Sequence, residues 1–155
     1  MYDLNLKVVS CNNEFYLNQC LQILKENYSA GQGDLLRVKS CKYLLCALEK
    51  NQVAGFLSLR EEEFRTAPLF LTELAVKNQY DFEEIALLLL DYLKNHSKNY
   101  NTIIAKDYTS NEKIQNLYQK CGFELKTHFE KRFVYYPKKD NSNVNLTDEE
   151  EMEKE

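Results

Sequence analysis

Apolar and polar residues alternate at the start of the chain, and the pattern then changes to that of a helix. The alternation over residues 4–10 predicts a first strand. Asn12 or Asn13 is a suitable cap for the helix that follows, whose apolar positions have helical spacing: Leu17, Cys20, Leu21, Leu24 and Tyr28. Gly31 and Gly33 are expected to break the chain before a short helical turn.

Three apolar runs in the middle of the chain predict neighbouring strands of one sheet. Residues 43–49 and 53–59 are joined by the polar residues 50–52, which favours an antiparallel hairpin. Residues 69–76 are nearly all apolar and follow Pro68, so this strand is predicted to be central.

From Phe82 the pattern returns to helical spacing. The apolar positions of this helix form one broad face: Phe82, Ile85, Ala86, Leu89, Leu90 and Leu93. A short apolar run over residues 102–105 then predicts another strand. Because helices and strands alternate here, the domain is expected to be of the α/β class.

A final helix and two strands are predicted to close the domain. Thr109 and Glu112 have the spacing of a capping box, and Ile114, Leu117, Tyr118 and Cys121 form the apolar stripe. Gly122 is the expected C-cap. Residues 125–129 and 132–136 are predicted strands. The complete order is β-α-(α)-β-β-β-α-β-α-β-β, without internal repeats.

Composition narrows the class of protein. With 155 residues, 44% hydrophobic and 28% charged, the chain fits one globular domain. It has no apolar run long enough to span a bilayer, and no signal peptide is expected. The five cysteines lack any CxxC pair, which predicts reduced thiols in a cytoplasmic compartment. The two histidines have no ligand-spaced neighbours, so no metal site is expected.

Charge is concentrated at the C-terminal end. Residues 138–155 carry seven acidic side chains and three lysines, so residues 1–137 are formally neutral although the chain carries −4. The pattern predicts a domain over residues 1–137 and a flexible acidic tail over residues 138–155. The tail is available to a protein partner. No basic footprint suggests nucleic acid, and no membrane contact is expected.

Two stretches carry a more specific pattern. The first consists of Leu74-Ala75-Val76, Tyr80, Ile85-Ala86 and Leu89-Leu90, and the second of Ser110-Asn111, Ile114, Tyr118, Lys120 and Gly122-Phe123. Together with the hairpin they resemble the GNAT (Gcn5-related N-acetyltransferase) superfamily over about residues 4–137. Glu26-Asn27-Tyr28 and the Leu-Ala-Val strand end look most similar to protein N-terminal acetyltransferases. The resemblance implies a mixed, mostly antiparallel sheet of six to seven strands, flanked by about four helices.

The resemblance also implies an acetyl-CoA site. By family position its residues are Leu74, Val76, Asp81, Phe82, Glu84, Ile85, Ala86, Asn111 and Tyr118. The family turn has Arg or Gln, two other residues, Gly, one residue, and then Gly or Ala, and it receives the pyrophosphate at a helix N-terminus. Here Asp81, Glu84 and Ala86 stand at those three positions, and only Ala86 fits.

The substituted turn carries negative charge where phosphates would lie. Asp81, Glu83 and Glu84 are all acidic. One like-charge pair costs about 1 kcal/mol in water and about 4 kcal/mol in a partly shielded site. A micromolar ligand binds with only about 8 kcal/mol in total. The same acids stabilise the helix N-terminus without a ligand.

Candidate catalytic and substrate-binding residues follow from the resemblance and from strand position. Tyr118 matches the family's general acid, which protonates the departing thiolate; it also lies on an apolar stripe, and core packing is the favoured role. Glu73, and also Tyr43, lie on strands that border the site, where one could accept a proton from an amine. Glu26 and Tyr28 are expected in the loop that shapes the substrate entrance.

Three functions remain open from the sequence. The favoured one is a degenerate, non-catalytic GNAT-fold protein that acts through protein interaction and needs no cofactor. The alternative is an active acetyl-CoA-dependent N-acetyltransferase, acting on an amine such as a protein N-terminus, because backbone N–H groups alone can bind phosphate. An unrelated α/β binding domain is the third. Two structural features distinguish these functions. One is whether the strand that ends at Val76 separates from the strand that starts at Thr102, and the other is whether Glu84 fills the gap between them.

Overall fold

The computed structural model describes residues 3–28, 30–61, 68–106, 112–126, 132–137 and 146. Within these residues the chain forms seven strands and four helices. Their order is β1 (Asn5–Ser10), α1 (Glu14–Tyr28), α2 (Gln32–Lys39), β2 (Tyr43–Glu49), β3 (Gln52–Glu61), β4 (Leu69–Val76), α3 (Phe82–Asn95), β5 (Ile103–Lys106), α4 (Glu112–Lys120), β6 (Glu124–Lys126) and β7 (Arg132–Tyr135).

The strands form one mixed sheet in the order β1-β2-β3-β4-β5-β7-β6. All neighbouring pairs are antiparallel except β4 and β5, which are parallel. The predicted fold class, a mostly antiparallel sheet of six to seven strands with about four helices, is therefore confirmed.

Helices cover both faces of the sheet, and each face has its own apolar cluster. On one face, α3 and α4 pack through residues such as Ile85, Leu89 and Leu117. On the other face, α1 and α2 pack through residues such as Cys20 and Val38. Burial on both faces explains why β2, β3 and β4 are almost continuously apolar.

Several predicted boundaries are confirmed. Asn13 is the cap of α1, since its Oδ1 accepts a hydrogen bond from the Tyr16 N–H at 3.3 Å. Strand β4 has the predicted ends. Gly122 follows α4 with a φ of +90°, which only glycine adopts without strain. The predicted strand over residues 125–129 is β6, which starts one residue earlier; residues 127–129 lie outside the described part.

Two predictions about the first loop are wrong. Gly33 does not break the chain but lies inside α2, which is a full eight-residue helix. Glu26 and Tyr28 are not in a loop, because α1 continues to Tyr28. The helix extends this far since no glycine or proline occurs before Gly31, and the Ala30 N–H closes its end on the Leu24 carbonyl.

The five cysteines are free thiols, and all but Cys11 are buried. No helix in the described part of the chain is long and apolar enough to cross a membrane.

Leu146, in the segment predicted as a tail, is only 8% exposed and belongs to the cluster under α3 and α4. The segment is therefore in contact with the domain at this residue.

Candidate functional site

Strands β4 and β5 run side by side for only a short distance. Their parallel pairing joins Leu69 to Ile103, Phe70 to Ile104 and Leu71 to Ala105. Strand β4 continues for five residues beyond Leu71, whereas β5 ends one residue later, at Lys106, which pairs with Arg132 of β7. The last half of β4 therefore has no strand beside it among the described residues on its β5 side.

A bulge at Thr72 controls which way the end of β4 faces. The register with β3 shifts between Ser58, which pairs with Glu73, and Leu59, which pairs with Leu71. The Thr72 and Ser58 hydroxyls are buried and lie 2.6 Å apart, which holds the bulge. Because the extra residue inverts the alternation, Leu74 and Val76 face α3, and Glu73 faces the α1–α2 side.

The last two residues of α1 bind the backbone at the end of β4. The Tyr28 hydroxyl accepts a hydrogen bond from the Val76 N–H at 2.9 Å and donates one to the Val76 carbonyl at 3.1 Å. The Asn27 Oδ1 accepts a bond from the Asn78 N–H. These two side chains therefore tie α1 to the strand, whereas Glu26 is exposed and pairs with Gln22 of its own helix.

The N-terminus of α3 is capped by its own acidic side chain. The Asp81 carboxylate accepts a hydrogen bond from the Glu84 N–H at 2.8 Å. Glu83 forms an ion pair with Lys120 of α4, and the hydrogen bond between them raises the pKa of Lys120. Glu84 is exposed. The three predicted carboxylates are thus at the helix start, one as a cap and one paired with a lysine.

A groove of about 520 Å³ lies between the start of α3 and the outer face of α4. Two acidic and two basic residues are among those that line it: Asp81, Phe82, Glu83, Lys113, Asn116, Leu117 and Lys120. Glu84 is not among them. The lysines lie seven residues apart on one face of α4, and the Lys113 ammonium is 5.7 Å from the centre of the Phe82 ring.

Close packing of α3 on the sheet depends on Gly55. A Cβ at this position would lie 2.7 Å from Cγ2 of Ile85 and 3.1 Å from the Ala75 carbonyl oxygen. Ile85 and Ala86 are themselves fully buried. The absent side chain therefore lets the first turn of α3 approach the ends of β3 and β4.

Glu73 is the one carboxylate of the site with a strongly altered pKa. It lies on the α1–α2 side, where Arg37 Nη2 of α2 is 3.2 Å from its Oε1, and its side chain is 12% exposed. Burial raises the pKa of Glu73 to about 7; the Arg37 guanidinium acts in the opposite direction, and Asp34 adds to the rise. At neutral pH this carboxyl can therefore both take up and release a proton.

Tyr118 lies in the core. It is 3% exposed, and its ring centre is 5.3 Å from that of Phe123 and 5.2 Å from that of Phe133. It belongs to the same apolar cluster as Leu74 and Val76. Asn111, the other residue assigned from the second stretch, lies outside the described residues.

The predicted site residues fall into two groups on opposite faces of the sheet. Asp81, Phe82 and Glu83 meet α4 at the groove, while Tyr28 and Glu73 meet α2 and the end of β4. The sequence did not lead us to Arg37, Lys113 or the bulge, and Lys120 was named only as part of the second stretch and not as a site residue. The adjacent polar residues Thr72 and Glu73 in an apolar strand, and the seven-residue spacing of the lysines, were the available signs.

The residues at the start of α3 do not fit a bound pyrophosphate. Asp81 already accepts the N–H of Glu84. Glu83 is paired with Lys120, a cation of the groove that a phosphate would otherwise use. No group of three or more His, Cys, Asp or Glu residues that could hold a metal ion occurs among residues that the structure describes.

A family model and a set of solved structures point to the same family. Residues 40–125 match the family described as acetyltransferase (GNAT) domain. No curated protein matches the chain. Among solved structures, a GNAT-family acetyltransferase from Bacillus cereus is 20% identical with a TM-score of 0.66, covering 90% of this chain and 99% of that one.

Two plant structures are also similar. Arabidopsis thaliana Naa50, in complex with the bisubstrate analogue CoA-Ac-MVNAL, is 14% identical with a TM-score of 0.63, covering 83% of this chain and 95% of that one. Arabidopsis thaliana NAA60, in complex with acetyl-CoA, is 13% identical with a TM-score of 0.63, covering 86% and 99%. At these identities the likeness concerns the fold.

Proposed function

The chain belongs to the GNAT acetyltransferase family, and we propose that it is a non-catalytic member that acts through a protein partner. The observation that carries the proposal is the hydrogen bond between the Asp81 carboxylate and the Glu84 N–H at the start of α3. At this helix N-terminus, where the phosphates of a GNAT cofactor would bind, the Glu84 N–H is already bound to a carboxylate of the chain itself.

The energetics support this proposal. A capping carboxylate stabilises a helix by about 1 kcal/mol, and negative charge in the first turn adds to this. A phosphate that took the Glu84 N–H would have to displace Asp81 and would lie beside Glu83 and Glu84. Each such contact is repulsive, so the acids that stabilise the domain also reduce its affinity for acetyl-CoA.

The position of Tyr118 is also consistent with a loss of catalytic activity. A general acid must reach the sulfur that departs, and Tyr118 is packed among Phe123 and Phe133. We assign it to the core. The proposed partner would use other features, chiefly the acidic residues after position 147, which suit a basic protein surface.

One set of observations favours a second candidate, an acetyl-CoA-dependent N-acetyltransferase that acts on an amine. Glu73, with a pKa of about 7, is suited to accept a proton from an amine at neutral pH. Lys113 and Lys120 line the groove beside α3 and could bind phosphate in place of the missing turn residue. The relatives Naa50 and NAA60 carry CoA ligands in this fold.

An assay of CoA thiol release separates the two candidates. The protein, at tens of micromolar, is incubated with acetyl-CoA and a set of peptides that differ in their first residues. The first proposal predicts no thiol release above the rate without protein. Release that depends on peptide, and that Glu73→Gln abolishes while a change of the exposed Glu124 to Gln (Glu124→Gln) leaves it unchanged, would establish the second candidate instead.

A further inference from the structure

The backbone of Val76 faces the side of β4 on which β5 is no longer paired. The Lys77 N–H donates to the Ala54 carbonyl at 2.8 Å, which makes Val76 and Gly55 a non-hydrogen-bonded pair of the antiparallel ladder. The Val76 N–H and C=O therefore point away from β3. On that side β5 pairs only with residues 69–71.

A strand edge of this kind can bind an extended chain that contains amides. The N–H and C=O groups of one edge residue can pair with a C=O and an N–H from two neighbouring amides of a ligand, as in the addition of a strand to a sheet. A buried edge also needs partners, because a polar group without one costs free energy.

The Tyr28 hydroxyl satisfies both groups at once. It accepts from the Val76 N–H at 2.9 Å and donates to the Val76 carbonyl at 3.1 Å, which are the two bonds that a C=O and an N–H from two neighbouring amides of a bound chain would make. Burial raises the pKa of Tyr28, so the hydroxyl stays neutral and keeps its proton for the second bond.

We propose that Tyr28 is a built-in substitute for an amide-containing ligand on the β5 side of β4, and that it blocks this edge. The ligand class is the amide-bearing arm of an acyl-pantetheine. Such an arm would pair with Val76 only after the Tyr28 side chain has left. This inference deepens the proposed function, because it identifies a second part of the cofactor position, separate from the acidic turn, that the chain fills with its own side chain.

The inference can be tested apart from the turn by using S-acetylpantetheine, which lacks the charged phosphates. Binding to the full chain is followed by NMR titration for the wild type and for Tyr28→Phe and Tyr28→Ala. The phenylalanine variant removes only the two hydrogen bonds, and the alanine variant also removes the ring. Tyr100→Phe is the matched control, because its hydroxyl binds Glu61, on β3.

The expected result is an affinity for S-acetylpantetheine at least about tenfold higher in Tyr28→Ala than in the wild type, since one competing hydrogen bond is worth about that factor. The Val76 amide should also exchange with solvent about tenfold faster in Tyr28→Phe, and at the wild-type rate in Tyr100→Phe. If neither Tyr28 variant binds S-acetylpantetheine more tightly than the wild type, the inference is overturned, whatever the exchange rate.

This outcome is independent of the proposed function. Peptide-dependent thiol release by the wild type would overturn the proposed function, and the affinities of the Tyr28 variants for S-acetylpantetheine would still show whether Tyr28 competes with the arm. A lack of gain in the Tyr28 variants would overturn only the role of Tyr28.

Discussion

Arg37 and Glu73 form a partly buried ion pair in which burial has the larger effect. Their closest atoms, Nη2 and Oε1, are 3.2 Å apart, and the pair joins α2 to β4. The pKa of Glu73 is nevertheless raised to about 7, because the cost of removing the carboxylate from water exceeds the attraction of the guanidinium. The charge of the Glu73 carboxyl is therefore determined by its buried position on the bulged strand more than by its ion pair with Arg37.

The stability of the protein should consequently fall between about pH 4.5 and pH 7. In this range the folded state holds a proton on Glu73 that the unfolded state releases, so the free energy of unfolding decreases as pH rises. The loss is at most about 3 kcal/mol. In Glu73→Gln the loss is expected to be absent, so this variant gains stability relative to the wild type as pH increases.

Urea unfolding of both proteins at pH 5 and pH 8 measures this difference. Glu26→Gln, which changes an exposed carboxylate of α1, should show the same dependence as the wild type. If the free energies of unfolding of Glu73→Gln and the wild type differ by the same amount at both pH values, Glu73 is ionised over the whole range.

The bulge in β4 should depend on the pair of buried hydroxyls. Thr72→Val leaves the buried Ser58 hydroxyl without the Thr72 hydroxyl and is expected to lower the free energy of unfolding by about 1–3 kcal/mol. The loss in Ser58→Ala should be smaller, because the Thr72 hydroxyl can still donate to the carbonyl oxygen of residue 58 at 3.2 Å. The double variant should be less destabilised than the sum of the two. A double-mutant cycle by urea unfolding tests this, and additive effects would mean that the two hydroxyls do not stabilise each other.

Two glycine substitutions should have opposite effects. Gly55→Ala places a Cβ against Ile85 and the Ala75 carbonyl, so we expect a loss of about 1–3 kcal/mol and displacement of α3. Gly33→Ala is the control. It lies in the first turn of α2 with no atom within 4 Å of the added Cβ, and should gain about 0.5–1 kcal/mol. Thermal unfolding compares them; a neutral Gly55→Ala would contradict the close approach of α3.

Leu146 should contribute to stability although it lies in an acidic segment. It is 8% exposed and packs with the cluster under α3 and α4, so Leu146→Ala is expected to cost about 2 kcal/mol or more. Leu36→Ala is the matched control, because Leu36 is 62% exposed and should change stability by less than about 0.5 kcal/mol. Equal effects of the two substitutions would show that Leu146 does not pack against the domain in solution.

Local pattern was sufficient for most of the fold. The period of apolar residues predicted each strand and helix in order. Gly122 was recognised as a cap, and the cap of α1 was narrowed to Asn12 or Asn13, because caps depend on neighbouring backbone. The exact bounds of β4 followed from its apolar composition. The helical spacing reached Tyr28, the last residue of α1, whereas the loop that the resemblance implied at Glu26 and Tyr28 is wrong. The glycines that were expected to break the chain are tolerated at the N-cap and in the first turn of α2.

The site was less predictable because it depends on contacts between distant residues. Glu73 faces α2 only because an extra residue at Thr72 shifts the register with β3. Its pairing with Arg37 spans 36 residues, and that of Tyr28 with Val76 spans 48. The negative charge of the turn is evident from the sequence alone. Its partial compensation by Lys120 of α4 is not, because it depends on how the two helices pack.

The central claim is that the chain's own acidic turn replaces the cofactor phosphates, and calorimetric titration with acetyl-CoA tests it most directly. Wild-type protein at tens of micromolar is compared with Asp81→Arg/Glu84→Gly, which restores the family residues at two positions. The account predicts no binding tighter than about 100 μM in the wild type and at least a tenfold gain in the variant. Low-micromolar binding by the wild type, equal to that of the variant, would contradict it.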